Sequence, residues 1–193
     1  MPTRNYLGIV ALLIAFGSIL VSIAISPWFD WAVHDLSHLG IYENGLAAAL
    51  IFNGGLIVTG VIMVTFLFDY AHRIGDPSSR LMLLPFVMAM VSLTLVGLFP
   101  AGSSPIHFLA SLGFLLSFPV AMCIVGISWV RFQNRMVFAV ASMVVGSSLI
   151  LMWMAYLLGT SFFVGAAIPE TLTAVTAAIW LWLAWARFRT VET

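Results

Sequence analysis

The sequence predicts an all-α integral membrane protein, a bundle of six transmembrane helices with both termini in the cytoplasm. Of the 193 residues, 63% are hydrophobic and only 7% are charged, and the mean hydropathy is +1.15. A soluble domain carries about 25% charged residues, and no soluble core of this size buries so much apolar surface. Two further observations support the prediction: six apolar runs of membrane-spanning length, and arginines confined to one side of the resulting path.

Each apolar run is close to the ~20 residues that a helix needs to cross the hydrocarbon core. The runs are approximately 6–26, 45–68, 81–99, 107–130, 136–158 and 168–186. The first run is longer than the apolar part of a signal peptide, and no small-x-small cleavage site precedes Pro27, so we expect it to remain as a helix. Pro85 and Pro119 are expected to kink the third and fourth spans.

Short loops join the spans, and no linker or soluble module is visible, so residues 1–193 are predicted to form a single transmembrane domain. The longest connection, from about Pro27 to Asn44, contains aromatic residues typical of a membrane interface. Small residues within the spans, such as Gly60, Gly146 and Ala177, favour close helix packing.

The arginines predict the orientation. All seven fall on one side of an alternating six-span path, and the positive-inside rule makes that side cytoplasmic. They are Arg4, Arg73, Arg80, Arg131, Arg135, Arg187 and Arg189. The opposite side holds acidic residues and histidines: Asp30, His34, Asp35, His38, Glu43, His107 and Glu170. We therefore expect a multi-pass protein of the cell membrane with membrane lipids as its surroundings.

Composition excludes several classes of protein. The chain has no lysine, which excludes Schiff-base chemistry on a lysine. The net charge is zero, and nothing indicates binding to nucleic acid. Cys123 is the single cysteine, so no intramolecular disulfide is possible. No ionisable residue falls in the middle of a span, which argues against a proton pump or a voltage sensor. A continuous passage through so small a bundle would require a homo-oligomer.

Three motifs occur in order along the first four spans: LSHLG at 36–40, LIFNGGLIVTG at 50–60 and VGLFPAGSSPIHFLAS at 96–111. Their order and spacing resemble the domain-of-unknown-function family 998, small six-helix membrane proteins of archaea and bacteria. The family pattern maps onto the following residues: Ser37, Leu39, Gly40, Phe52, Asn53, Gly55, Gly97, Phe99, Pro100 and His107. The family often has aspartate at the position of His38. The resemblance implies a membrane bundle and brings no established activity.

The stretch HDLSHLG is the most concentrated polar segment of the outer side. On a helix, His34 and His38 would lie one turn apart on the same face, a spacing that suits zinc. His107, on the same membrane side, is the predicted third metal ligand. With zinc activating a water molecule, Asp35 or Glu170 could act as the base, and Ser37 belongs to the same candidate catalytic set.

Asn53 lies about nine residues into the second span, roughly 12 Å below the surface. Its amide should hydrogen-bond to another helix or form the floor of a pocket that binds substrate.

Three functions remain open. The first is a metal-assisted hydrolase or lipid-modifying protein that acts at the outer leaflet. The second is a protein that binds or transports a lipid or small molecule without chemistry. The third is an accessory membrane subunit, in which the histidines and acids are only structural or solvated.

Overall fold

The computed structural model describes residues 6–75, 77–102, 105–130 and 135–189. In these residues every regular element is helical, as predicted. The helices are α1 (Tyr6–Ala24), α2 (Leu46–Arg73), α3 (Pro77–Leu81), α4 (Leu84–Leu98), α5 (Pro105–Trp129), α6 (Met136–Leu157) and α7 (Ala167–Arg189). Two short 3₁₀ helices, Leu36–Gly40 and Tyr42–Asn44, lie in the connection between α1 and α2.

Five of the described helices are long and apolar enough to cross a membrane: α1, α2, α5, α6 and, in α7, Ala167–Ala184. The third predicted span, 81–99, is shorter than expected. Its helix α4 has 15 residues, or about 22 Å, which is less than the ~30 Å of a hydrocarbon core.

Proline explains the late start of α4. Pro85 lies in the first turn of α4, where its missing N–H costs no hydrogen bond. The expectation of a kink at Pro85 is therefore wrong, because the helix begins there. Pro119, by contrast, lies inside the continuous helix α5.

Helices that follow one another in the chain pack together: α1 on α2, α2 on α4, α4 on α5 and α5 on α6. Glycine allows this close approach. A Cβ at Gly60 would lie 2.8 Å from the carbonyl oxygen of Met90, and one at Gly146 would lie 2.7 Å from that of Pro119. Both distances are too short for a side chain, so these glycines have the packing role predicted from the sequence.

Large apolar side chains also cover the outside of the bundle. Leu13, Val137 and Leu151 are 68%, 83% and 69% exposed. Water penalises such exposure, whereas hydrocarbon does not. The exterior therefore fits a lipid environment, in agreement with the composition.

Three rings cross the middle of the bundle. Phe86 of α4 stacks on Trp180 of α7 with centroids 5.5 Å apart, and Phe118 of α5 meets both rings edge to face at 5.6 and 6.0 Å. Trp180 Nε1 also donates a hydrogen bond to Ser142 Oγ of α6 at 2.8 Å. We call Phe86, Phe118 and Trp180 the aromatic layer, and it ties α7 to the other helices.

Candidate functional site

The connection between α1 and α2 folds back onto the start of α7. Asp35 Oδ1 accepts a hydrogen bond from the backbone N–H of Ala166, and Glu170 Oε2 accepts one from that of Leu36, each at 2.6 Å. Ala166 immediately precedes α7, and Leu36 is the first residue of a 3₁₀ helix. Each carboxylate thus lies where unpaired N–H groups and the helix dipole favour negative charge. We call these two contacts the carboxylate clasp.

Backbone contacts extend the clasp. The N–H of Gly165 donates to the carbonyl of Ala32 at 3.1 Å, and that of Ala167 donates to the carbonyl of His34 at 3.0 Å. A Cβ at Gly165 would overlap the backbone of Val33 and His34. Only glycine therefore permits this close approach. Together these contacts bring His34, Asp35 and Glu170 to one end of the bundle.

The two loop histidines are fixed by their own segment. His34 Nδ1 accepts the backbone N–H of Asp30, and His38 Nδ1 accepts that of Asp35, each at 2.9 Å. A neutral imidazole that accepts at Nδ1 carries its proton on Nε2. A histidine that binds a metal uses one nitrogen lone pair and donates its other N–H, which is the opposite arrangement. The two rings, 5.6 Å apart and nearly perpendicular, instead pack edge to face.

His107 has different partners. Its Nδ1 lies 2.7 Å from the carbonyl oxygen of Phe99, so Nδ1 must donate, and Nε2 faces Ser111 Oγ at 3.3 Å. Among the residues that the structure describes, no group of three histidine, cysteine, aspartate or glutamate side chains is placed to hold a metal ion. The zinc site predicted from His34, His38 and His107 is therefore not assembled.

Asn53 anchors the loop to α2. Its buried amide nitrogen donates to the carbonyl oxygen of Gly40 at 2.9 Å, and a Cβ at Gly40 would overlap the Asn53 side chain. Gly97 of α4 closes in on the same place, because a Cβ there would lie 2.6 Å from the carbonyl oxygen of Asn53. The three sequence motifs thus meet around Asn53. The apolar cavity described next is not lined by Asn53. The Asn53 amide instead has its hydrogen-bond partner within the protein.

An apolar cavity opens inside the bundle beneath the carboxylate clasp. Its volume is about 120 Å³, whereas one water molecule needs about 10–15 Å³. The cavity is therefore much larger than a packing defect. Along α7 it extends from Glu170 to Leu181, eleven residues or about 16 Å of helix. Its walls come from α1, α2, α4, α5 and α7, and Phe118 of the aromatic layer lies in its lining. We call it the outer cavity, after the membrane side that the arginines predict for this end of the bundle.

Three polar residues of the outer cavity lie at its clasp end, and a fourth, Thr59, lies deeper, where its hydroxyl donates to the carbonyl oxygen of Ala11 at 3.2 Å. Ser37, Ser111 and Glu170 line the clasp end, whereas Asp35 does not. The part of the chain that the structure describes provides no hydrogen-bond partner for the Ser37 hydroxyl or for the second carboxyl oxygen of Glu170. Two of the three predicted catalytic residues, Ser37 and Glu170, therefore line the cavity.

Sequence reasoning considered a pocket with Asn53 as its floor but did not predict that α7 would line it. The small side chains of α7 were expected only to let helices approach, yet Ala174, Ala177 and Ala178 line the outer cavity. A run of alanines on one helix face was the available signal, but the same pattern also predicts close packing. Which of the two occurs depends on the neighbouring helices.

Helices of spanning length around an apolar cavity define a multi-pass membrane-type helical protein. Its family follows from the sequence: residues 9–187 match the family model described as "Protein of unknown function (DUF998)", and the chain belongs to that family. The resemblance predicted from the three motifs is thereby confirmed. No curated protein and no solved structure matches the chain.

Proposed function

We propose that this protein binds an amphiphilic lipid in the outer cavity, with the polar head at the carboxylate clasp and a single apolar chain along α7. The observation that carries the proposal is the composition of the cavity lining: nearly all of it is apolar, and Ser37 and Glu170 lie at one end. Ligand pockets typically combine apolar walls with a few convergent polar groups in this way.

The chemistry of the polar end narrows the head group. Glu170 offers a carboxyl oxygen as acceptor, and Ser37 offers a hydroxyl that can donate or accept. A carboxylate repels a phosphate or another carboxylate. The preferred head is therefore a small neutral group with a hydrogen to donate, such as an alcohol.

The orientation inferred from the arginines supports access from the outer leaflet. With both termini in the cytoplasm, the clasp end of the bundle faces outward in the cell membrane. A lipid of that leaflet would then insert its chain between helices without crossing the membrane.

One observation favours a second candidate, metal-free hydrolysis of a lipid ester. His107 connects a candidate nucleophile to an orienting group. Its Nε2 faces Ser111 Oγ, and its Nδ1 donates to the carbonyl oxygen of Phe99. In such a reaction Ser111 Oγ would attack the ester carbonyl, and His107 would pass the hydroxyl proton to the departing alcohol. Water would then release the acyl group from Ser111. Labelling by a serine-reactive fluorophosphonate that disappears in Ser111→Ala would support it, and absence of labelling in the parent protein would exclude it.

Lipid extraction followed by mass spectrometry tests the binding proposal. The protein is purified in mild detergent beside Ala174→Phe, which places a ring in the outer cavity, and Ala141→Phe, a matched control on the exposed face of α6. We expect a neutral lipid to co-purify with the parent and the control but not with Ala174→Phe. Ser37→Ala, which leaves the cavity open, should weaken retention of the same lipid.

Equal retention of lipid by all four proteins, each folded as judged by its thermal transition, would overturn the proposal. So would a parent protein that carries no lipid and binds no added long-chain alcohol or monoacylglycerol.

A further inference from the structure

A second cavity lies at the opposite end of the bundle. It measures about 330 Å³ on the same scale as the outer cavity, and its walls come from the end of α2, the start of α4, the end of α5 and the last turns of α7. Most of its lining is apolar or aromatic, including Leu83, Phe86 and Trp180. We call it the inner cavity.

Arg135 is the only charged residue in the described lining of the inner cavity. Its guanidinium carbon lies 4.6 Å from the ring centroid of Trp129, which also lines the cavity. A cation over an indole face is held in place without losing its charge. The guanidinium is thus positioned at an apolar wall with its N–H donors available.

Arg73 and Arg80 are engaged differently. Arg73 forms an exposed ion pair with Asp69 at 2.9 Å, and Arg80 Nε donates to the carbonyl oxygen of Ile74 at 2.6 Å. Arg135 receives no carboxylate partner from the described part of the chain. A partly buried cation next to apolar walls is stabilised by an anion that it can hydrogen-bond.

The two cavities adjoin at Leu181 but differ in their other lining residues. The aromatic layer lies between them: Phe118 lines the outer cavity, whereas Phe86 and Trp180 line the inner one. Their polar groups also have opposite character, because the outer cavity offers the carboxyl group of Glu170 and the inner cavity offers the guanidinium of Arg135. A ligand that suits one is disfavoured by the other.

We infer that the inner cavity binds an anionic amphiphile, with a carboxylate or phosphate head on the Arg135 guanidinium and its apolar chain against the aromatic walls. A guanidinium makes two parallel hydrogen bonds to either head group, which a point charge cannot do. In the orientation proposed above, the cavity faces the cytoplasmic leaflet, where anionic lipids are available. A membrane phospholipid and a free fatty acid share this chemistry.

Native mass spectrometry with added lipids tests the site. The full chain is titrated with phosphatidylglycerol, oleate and phosphatidylcholine, beside Arg135→Gln and the matched control Arg73→Gln. We expect at least one anionic lipid to bind with defined stoichiometry, and Arg135→Gln to weaken it by about tenfold or more, since a charged bidentate pair is lost. Arg73→Gln should bind as the parent does. Arg135→Lys keeps the positive charge but cannot make two parallel hydrogen bonds, so its affinity should lie between those of the parent and Arg135→Gln.

The pattern of ligands identifies the source. Binding of phosphatidylglycerol alone indicates a membrane phospholipid, and binding of oleate alone indicates a free fatty acid. Equal weakening by Arg135→Gln and Arg73→Gln, or phosphatidylcholine binding as tightly as either anion, would overturn the inference. Ala174→Phe distinguishes the two cavities in this experiment. Anionic lipid should still bind to it, because the ring fills only the outer cavity.

Discussion

Asp35 and Glu170 each accept a backbone hydrogen bond at the start of the other's helical segment, at 2.6 Å in both cases. This reciprocal relationship joins the loop after α1 to the last helix of the chain. The two contacts depend on each other, because either one alone positions the partner N–H for the second.

Replacing Asp35 or Glu170 by alanine should therefore destabilise the fold. Each substitution leaves a partly buried N–H without its carboxyl acceptor, at a cost of about 1–3 kcal/mol, or roughly 3–10 °C in the midpoint of thermal unfolding. Glu43→Ala, an exposed carboxylate on the same connection, is the control and should change little. The double variant should lose less than the sum of the two single losses, since both remove one docked interface. Strict additivity would contradict the reciprocal relationship.

Glycine substitutions separate close approach from helix propensity. Gly165→Ala should lower the unfolding midpoint, because its Cβ would overlap the backbone of Val33 and His34. Gly54→Ala, in α2, has no atom within 4 Å of the added Cβ and should instead be neutral or stabilising by up to about 1 kcal/mol. Thermal unfolding of both variants in the same detergent measures the difference, and a similar effect for the two would contradict the packing at Gly165.

Metal removal should leave the protein unchanged. His34 and His38 accept hydrogen bonds at Nδ1 and so present an Nε2 proton, not a lone pair, to any approaching ion. Treatment with a chelator should not shift the unfolding midpoint, and elemental analysis should find no zinc that a His34→Ala/His38→Ala/His107→Ala triple variant loses. Near-stoichiometric zinc that disappears in the triple variant would restore the metal hypothesis.

Trp180 should be the most sensitive position of α7. Trp180→Ala removes a ring from the aromatic layer and should cost about 3–5 kcal/mol. Trp180→Phe keeps a ring but loses the hydrogen bond to Ser142, so its cost should be nearer 1 kcal/mol. Trp182→Ala, whose indole is 62% exposed on the same helix, is the control and should cost little. Unfolding midpoints in one detergent compare the three, and equal losses would contradict the layer.

Hydropathy was sufficient to predict the helical bundle, because apolar runs of spanning length have few other structures open to them in lipid. The start of α4 was missed, since Pro85 is compatible with both a kink and a helix start. The polar residues were correctly placed at one end of the bundle, where Asp35 and Glu170 meet neighbouring segments. Their partners could not be predicted, because the clasp joins positions 131 and 134 residues apart.

The hydrogen-bond partners of the two loop histidines could not be predicted for a related reason. The rings of His34 and His38 do lie close together, with centroids 5.6 Å apart, although His34 precedes the 3₁₀ helix in which His38 lies. Each ring then satisfied a nearby backbone N–H. A sequence pattern does not show whether a ring nitrogen will find such a local donor.

The aromatic layer and Leu181 give the two cavities a common wall. Leu181 lines both cavities, and the Trp180 ring packs against Phe118 on one side and lines the inner cavity on the other. A ligand that displaces this shared wall would enlarge its own cavity and make the other cavity smaller. In that case, filling either cavity would change the ligand affinity of the other cavity by the same factor, as linkage requires. Trp180 is therefore the residue at which a displaced wall would change both cavities at once.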